Sequence, residues 1–177
     1  MTIIRTGAAE MHKIGDLIIY SAHGVCVIDD ICEKTVLGET KSYYVLHPLE
    51  DTKLSISIPV DNKSIVMFDI MHKDEAEEII NSFKNPGADW IDNNNQRFQE
   101  YSEVINTGNR KEISKIVNTL MKKKHEIELN GKKMGEQDRR LLASVQNILF
   151  NELAISLETT MDVIVEKTSS FMNINHV

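Results

Sequence analysis

The sequence predicts an α+β protein in which a small β-barrel is followed by a helical bundle of about five helices. Before residue 66, short runs rich in Ile, Val and Tyr alternate with turn residues, which is typical of strands. After residue 70, apolar residues recur every three or four positions, as they do on one face of a helix. The chain has 177 residues, of which 41% are hydrophobic and 27% charged, a composition typical of a soluble globular protein.

The predicted strands are short apolar runs separated by turns. They are LIIY (17 to 20), VCVI (25 to 28), YYVL (43 to 46) and KLSISIPV (53 to 60), with a hairpin turn at Gly38. In the last run, apolar residues from Leu54 to Val60 alternate with polar ones, which indicates one buried face. Pro59 cannot donate a ladder hydrogen bond, so this strand is expected to end there or to lie at an edge. Four or five such strands predict a small twisted barrel.

Five sets of apolar residues at helical spacing predict five helices. The first set is Ala76, Ile79, Ile80 and Phe83, the second is Phe98, Tyr101 and Ile105, the third is Ile113, Ile116, Val117, Leu120 and Met121, the fourth runs from Leu141 to Leu153, and the fifth is Leu157, Met161, Ile164 and Val165. Asn109 followed by Glu112 is a capping arrangement, which predicts the start of the third helix.

The domain boundaries follow from these changes of pattern. Residues 1 to 10, MTIIRTGAAE, match neither half of the chain and are expected to be a leader or a flexible extension. The barrel is expected at 11 to 66, because a clean strand entry begins after Met11. The helical domain is expected at 74 to 177, with a linker at 67 to 73.

The sequence predicts a binding protein and not an enzyme. Its six histidines show no metal-ligand spacing, and GxGxxG, GxxxxGK[ST] and GxSxG do not occur, so no catalytic residue, metal or cofactor is expected. The acidic run at 74 to 78 is expected to be the solvent face and first turn of a helix. Cys26 and Cys32 lack CxxC spacing and are interpreted as reduced packing residues. Neither a signal peptide nor a membrane span is evident, which predicts a cytoplasmic protein without a membrane partner.

One segment is basic in an otherwise acidic chain. The net charge of -7 argues against a protein held on nucleic acid by charge alone. Residues 107 to 146, however, carry ten basic and five acidic side chains, a sum of +5. Their cations cluster at one helix end, the next turn and the following helix start: Lys122, Lys123, Lys124, Lys132, Lys133, Arg139 and Arg140. Either a solvated lysine-rich surface or a phosphate-binding surface fits this pattern.

The only tryptophan, Trp90, lies in the polar stretch NPGADWIDN at 85 to 93. Asn85, Pro86 and Gly87 interrupt any helix, and the aspartates favour solvent, so the indole has no obvious core to enter. Two interpretations follow from the residues. Trp90 either folds back as a lid over the helices or is presented to a partner.

Several segments resemble one family in order and spacing. They are HKIGDLIIYSAHGVCVIDDI, the Gly38 hairpin, the strand end IPV, the tryptophan loop, the pair Arg97 and Phe98, and LLASVQNILFNELA at 141 to 154. Together they resemble the CarD/CdnL bacterial transcription regulators over residues 11 to 165. The amino-terminal domain of this family is similar to the RNA-polymerase-interacting domain of transcription-repair coupling factor.

The resemblance implies a fold and a mechanism. The barrel would be a Tudor-like module that binds the β subunit of RNA polymerase, with no small-molecule substrate. Trp90 would enter the minor groove at the upstream edge of the melted promoter and stabilise the open complex. Burying an indole gains up to about 4 to 6 kcal/mol, while parting a base step costs on the order of a few. Phosphate contacts are expected from Arg97, Arg139, Arg140, Lys132 and Lys133.

This sequence also departs from the family pattern. Some relatives carry arginines directly after the tryptophan, whereas here residues 91 to 95 intervene before Arg97. Lys34 and Ser57 stand where relatives use arginines at the polymerase contact. Polymerase binding is therefore expected through an edge strand, with Ser55 and Ser57 facing the partner beside Lys34 and Lys53. An ordinary solvated strand face is the alternative for the serines.

A second function remains open at this stage. The chain would be a protein adaptor in which Trp90 is an interface hot spot and no DNA is contacted.

Overall fold

The computed structural model describes residues 11 to 20, 23 to 61 and 67 to 174. The chain divides into two compact units, of which one ends at Met67 and the other begins at Phe68. We call them the sheet unit and the helical unit. The predicted α+β class is confirmed, and the described residues form five strands followed by five helices. The predicted leader at residues 1 to 10 lies outside the described residues.

The first four strands pair antiparallel in chain order, and the described strands follow the order β4-β3-β2-β1-β5. They are β1 (Leu17–Tyr20), β2 (Gly24–Val36), β3 (Glu39–Pro48), β4 (Ile56–Pro59) and β5 (Met67–Asp69). A small twisted barrel was predicted, and among the described strands this sheet is not closed, with β4 and β5 at its two edges. Pro59 ends the edge strand β4, as predicted from its missing N–H.

A two-residue hairpin joins β2 to β3. Leu37 and Gly38 both have positive φ values, 53° and 82°, which match the right-handed twist of the flanking strands. The hairpin predicted at Gly38 is therefore confirmed. Both strands extend beyond the apolar runs VCVI and YYVL into parts that are half-buried or exposed. Apolar periodicity detects only the buried parts of such strands.

The sheet unit has a small apolar core. Its buried members are Ile18, Cys26, Ile28, Tyr44, Leu46 and Ile58. Leu54 was expected on the buried face of the last strand, but its residue is 37% exposed and precedes β4. The N–H of Leu54 closes a turn onto the carbonyl of Asp51, so the strand begins only at Ile56. The two cysteines are free, as predicted.

The five predicted helices are present. They are α1 (Lys73–Ser82), α2 (Asn94–Asn106), α3 (Arg110–Leu129), α4 (Glu136–Ser156) and α5 (Met161–Phe171). The side chain of Asn109 accepts hydrogen bonds from the N–H groups of Lys111 and Glu112, which confirms the predicted cap. Leu157 ends α4 and does not belong to α5. Residues 67 to 73, expected as a linker, contain β5 and the first residue of α1.

A buried ion pair joins α3, α4 and the segment before α1. Glu152 is 3% exposed and accepts hydrogen bonds from Arg110 at 2.7 and 3.1 Å and from the N–H of Met71 at 2.8 Å. Burial raises the pKa of Glu152, while the Arg110 guanidinium opposes that change. The pair fixes the start of the helical unit to the C-terminal part of α4.

Candidate functional site

Trp90 lies in the loop between α1 and α2, residues 83 to 93, which we call the Trp90 loop. Gly87 brings the backbone of this loop directly onto α3. A Cβ atom at this position would lie 2.2 Å from Thr119 Oγ1 and 2.7 Å from the carbonyl oxygen of Lys115. Only glycine permits such an approach. Gly87, which the sequence identified as a helix breaker, therefore also lets the Trp90 loop pack against α3.

The backbone of the Trp90 loop is held by side chains from two helices. In α3, Asn118 Nδ2 donates to two loop carbonyls and Thr119 Oγ1 to a third, while in α2 the Tyr101 hydroxyl donates to a fourth. The carbonyls are those of Phe83 (3.2 Å), Asn85 (3.1 Å), Ala88 (2.7 Å) and Asp89 (2.7 Å). The N–H of Ala88 donates to the Lys115 carbonyl at 3.1 Å. Trp90 is therefore presented by a rigid loop.

The Trp90 indole is half-buried. It packs against the apolar core of the helical unit on one side and keeps part of its surface in solvent. The guanidinium carbon of Arg97 lies 3.9 Å from the ring centroid, and Lys123 Nζ lies 5.5 Å from it. These are cation–π distances. The indole is thus neither a sealed lid nor a free side chain, but a supported ring with an accessible part.

Arg97 supports the ring from the protein interior. The residue is 1% exposed, and its Nε and Nη2 donate to the Asp138 carboxylate at 3.0 and 2.5 Å. Nη2 also donates to Asn94 Oδ1 at 2.8 Å, and Nη1 donates to the carbonyls of Ile91 and Asp92. All five N–H groups of the guanidinium are thereby used. This placement corrects the expected phosphate contact at Arg97, because no donor is left for a phosphate.

Arg97 and Phe98, which are neighbours in α2, have the opposite burial from that expected. Phe98 was assigned to the buried face, yet it is 37% exposed while Arg97 is enclosed. The reason is Asp138, a buried carboxylate in the first turn of α4, which sequence reasoning missed. An arginine enters a core when a carboxylate meets it there with good geometry. The signal in the sequence was a lone aspartate inside the basic run at the start of α4.

The predicted basic residues near α4 are on the surface. Arg139 and Arg140 are exposed in the first turn of α4, directly after Asp138, and both pair with Glu136. Their hydrogen bonds lower the pKa of Glu136. Lys132 and Lys133 are exposed in the turn between α3 and α4. The start of α4 is linked to Trp90 by two direct contacts, Asp138 to Arg97 and Arg97 to the ring.

The sheet unit brings two of its four predicted residues together. Lys34 Nζ in β2 donates to Ser57 Oγ in β4 at 2.7 Å and lies 5.8 Å from the Tyr43 ring centroid on the strand between them. Lys53 and Ser55 are exposed and precede β4. Among the described strands β4 is an edge, and an edge strand is where a partner strand can pair with the backbone.

Two further observations concern other kinds of site. None of the helices that the structure describes is long and apolar enough to cross a membrane. Among residues 11 to 20, 23 to 61 and 67 to 174, no three His, Cys, Asp or Glu side chains are grouped so that they could hold a metal ion.

Comparison with known proteins agrees with the two-unit architecture. The family model for the CarD-like/TRCF RID domain matches residues 12–68, and the model for the CarD C-terminal domain matches residues 70–168. A protein of Bacillus subtilis (strain 168) named "Putative transcription factor YdeB" is 28% identical over 149 residues, which cover 82% of this chain and 92% of that protein. The chain therefore belongs to the CarD family of transcription regulators, and its first unit is a domain of the RNA-polymerase-interacting type.

Proposed function

We propose that the chain binds the β subunit of RNA polymerase through its sheet unit and stabilises the promoter open complex with Trp90. In this proposal the indole enters the minor groove at the upstream edge of the melted DNA. The observation that carries the proposal is the supported ring on a rigid loop. A half-buried aromatic side chain with fixed backbone and a buried cation behind it is suited to stacking on a partner.

The rigid loop matters for the energetics of insertion. Base–aromatic stacking contributes roughly 1 to 3 kcal/mol per base, and parting an intact base step costs on the order of a few kcal/mol. These terms are similar, so insertion is favourable where the duplex already opens and where the ring loses little conformational freedom. The hydrogen bonds to the Trp90 loop remove that freedom before binding. The proposal therefore places Trp90 at the junction of duplex and bubble.

Stacking does not depend on a particular base, so the protein would act at many promoters. Its net charge of -7 gives weak intrinsic attraction to DNA, and tethering to polymerase would raise the local concentration of the helical unit. The exposed cations Arg139, Arg140, Lys132 and Lys133 would contact phosphates. Glu136 competes for both arginines in the free protein.

For the sheet unit we propose edge pairing with the polymerase. A partner strand would add to β4, with Lys34, Lys53, Ser55 and Ser57 beside it. The hydrogen bond from Lys34 to Ser57 orders the lysine side chain on the sheet. Its ammonium group would offer the polymerase a single point charge, whereas an arginine at this position would make a forked contact.

Trp90→Ala tests this function, with Trp90→Phe as a matched variant that keeps a stacking ring. Capture on purified polymerase and the lifetime of a melted promoter complex are measured for each. We expect normal capture by both variants, loss of the increase in lifetime with alanine, and partial retention with phenylalanine. Loss of capture by a folded Trp90→Ala protein would instead support the adaptor, in which Trp90 is a protein interface hot spot.

A further inference from the structure

One face of α3 supports the Trp90 loop and ends in a lysine. Lys115, Thr119 and Lys123 recur every four residues, so they lie above one another on the helix. The Lys115 carbonyl and the Thr119 hydroxyl hold the backbone at Ala88, and Lys123 places its Nζ over the Trp90 ring. From Lys115 to Lys123, this face of α3 therefore first holds the Trp90 loop and then places a cation beside the indole ring.

Lys123 is the surface cation beside the ring. Its Nζ lies 5.5 Å from the Trp90 centroid, and its side chain is 33% exposed. Arg97 is nearer at 3.9 Å, but its donors are all used inside the protein. After Trp90 the loop continues with Ile91, Asp92 and Asn93, none of which is basic. The cations next to the ring therefore come from helices, Arg97 from α2 and Lys123 from α3.

The distance fits the wall of a minor groove. That groove is about 6 Å wide and is lined on both sides by phosphates. A cation 5.5 Å from the centre of a ring that occupies this groove is close enough to reach one of the two phosphate backbones. Lysine is suited to this contact, because a phosphodiester needs a point charge there and not a forked donor.

We propose that Lys123 binds the backbone phosphate next to the base step that Trp90 enters. The inference rests on the proposed function of Trp90 and adds the residue that fixes the ring against the strand. In the free protein Lys123 Nζ donates to Glu126 Oε2 at 2.8 Å, an exposed pair three residues apart. Such pairs contribute little, so Lys123 exchanges Glu126 for phosphate at small cost.

The experiment uses the full chain with polymerase and promoter DNA. Each variant is titrated into preformed complexes, and the concentration that gives half of the maximal lifetime is measured from 50 to 200 mM salt. Lys123→Ala is compared with Lys124→Ala, which removes the same charge from the next residue. Lys124 lines a different groove with Leu129 and Leu142, away from the contacts of Trp90.

For Lys123→Ala we expect the slope of log affinity against log salt to be less steep by about 0.9, the value of one phosphate contact. Between about 50 and 200 mM salt, the ratio of wild-type to Lys123→Ala affinity would then fall by about 3.5-fold. Lys123→Arg should keep the wild-type slope, and Lys124→Ala should match it. Glu126→Gln should bind more tightly than the wild-type protein, because it releases Lys123.

A wild-type slope for Lys123→Ala, or equal slopes for Lys123→Ala and Lys124→Ala, would overturn the inference. If Trp90→Ala still abolishes the increase in lifetime in that case, the proposed function stands without Lys123. If Trp90→Ala leaves the lifetime unchanged, both the proposed function and the phosphate contact fail together.

Discussion

Asp138→Ala leaves the Arg97 guanidinium enclosed beside Trp90 without its carboxylate. The two residues are 1% and 6% exposed, so the change leaves a buried charge without its partner. Removing one member of a buried pair costs about 3 to 5 kcal/mol. Arg97 keeps its acceptors at Ile91, Asp92 and Asn94, so we expect the lower end, about 3 kcal/mol.

The assay is urea unfolding followed by helical circular dichroism and by Trp90 fluorescence. With a urea slope of about 1 to 3 kcal/mol per molar, the expected loss lowers the midpoint by about 1 to 3 M. Glu136→Ala is the matched control, since it removes an acidic residue from the same helical turn. Glu136 is exposed and pairs only at the surface, so little change is expected.

Equal urea midpoints for Asp138→Ala and Glu136→Ala would refute this prediction, because the buried ion pair would then contribute no more to the stability of the protein than a surface pair does. The double variant Arg97→Met with Asp138→Leu separates charge from packing. It removes both charges and fills the space with apolar atoms, so most of the lost stability should return. Trp90 fluorescence should still differ from the wild type, because the cation over the ring is gone.

Three further predictions concern other residues. Gly87→Ala places a Cβ 2.2 Å from Thr119 Oγ1, so we expect a loss of about 1 to 3 kcal/mol in urea unfolding and a shorter promoter-complex lifetime with normal polymerase capture. Burial raises the pKa of Cys26 to about 11, so at pH 8 only about one thiol in a thousand is the reactive thiolate. Cys26 is also 0% exposed, so iodoacetamide should label Cys32 first in the folded protein, and both cysteines should react in urea. Lys34→Glu should weaken polymerase capture while Lys34→Arg retains it, and unchanged capture by Lys34→Glu would exclude this residue from the interface.

Local patterns predicted the elements that depend on nearby residues. The strand LIIY was predicted with the bounds that β1 has, and the hairpin at Gly38 required only the turn chemistry of two residues. Asn109 was recognised as a cap because its partners lie two and three residues away. In each case the physical cause lies within a few positions of the signal.

The site depended on partners distant in sequence, and there prediction was incomplete. Arg97 was expected at the surface because its partner, Asp138, lies 41 residues further along the chain. Burial of a charged residue is visible only when the fold brings the opposite charge to it. Lys123 likewise meets Trp90 through the packing of the Trp90 loop on α3. Strand periodicity also does not reveal whether the two edges of a small sheet meet, so the closure of the predicted barrel could not be judged from the sequence.

Site-specific crosslinking from position 90 tests the central claim most directly. A photoreactive aromatic residue replaces Trp90 in the full chain, and the crosslinked partner is mapped in the complex of polymerase and melted promoter. The account predicts a crosslink to a nucleotide at the upstream edge of the bubble, lost when the sheet unit cannot bind polymerase. A crosslink to polymerase alone, with promoter DNA present and melted, would contradict it.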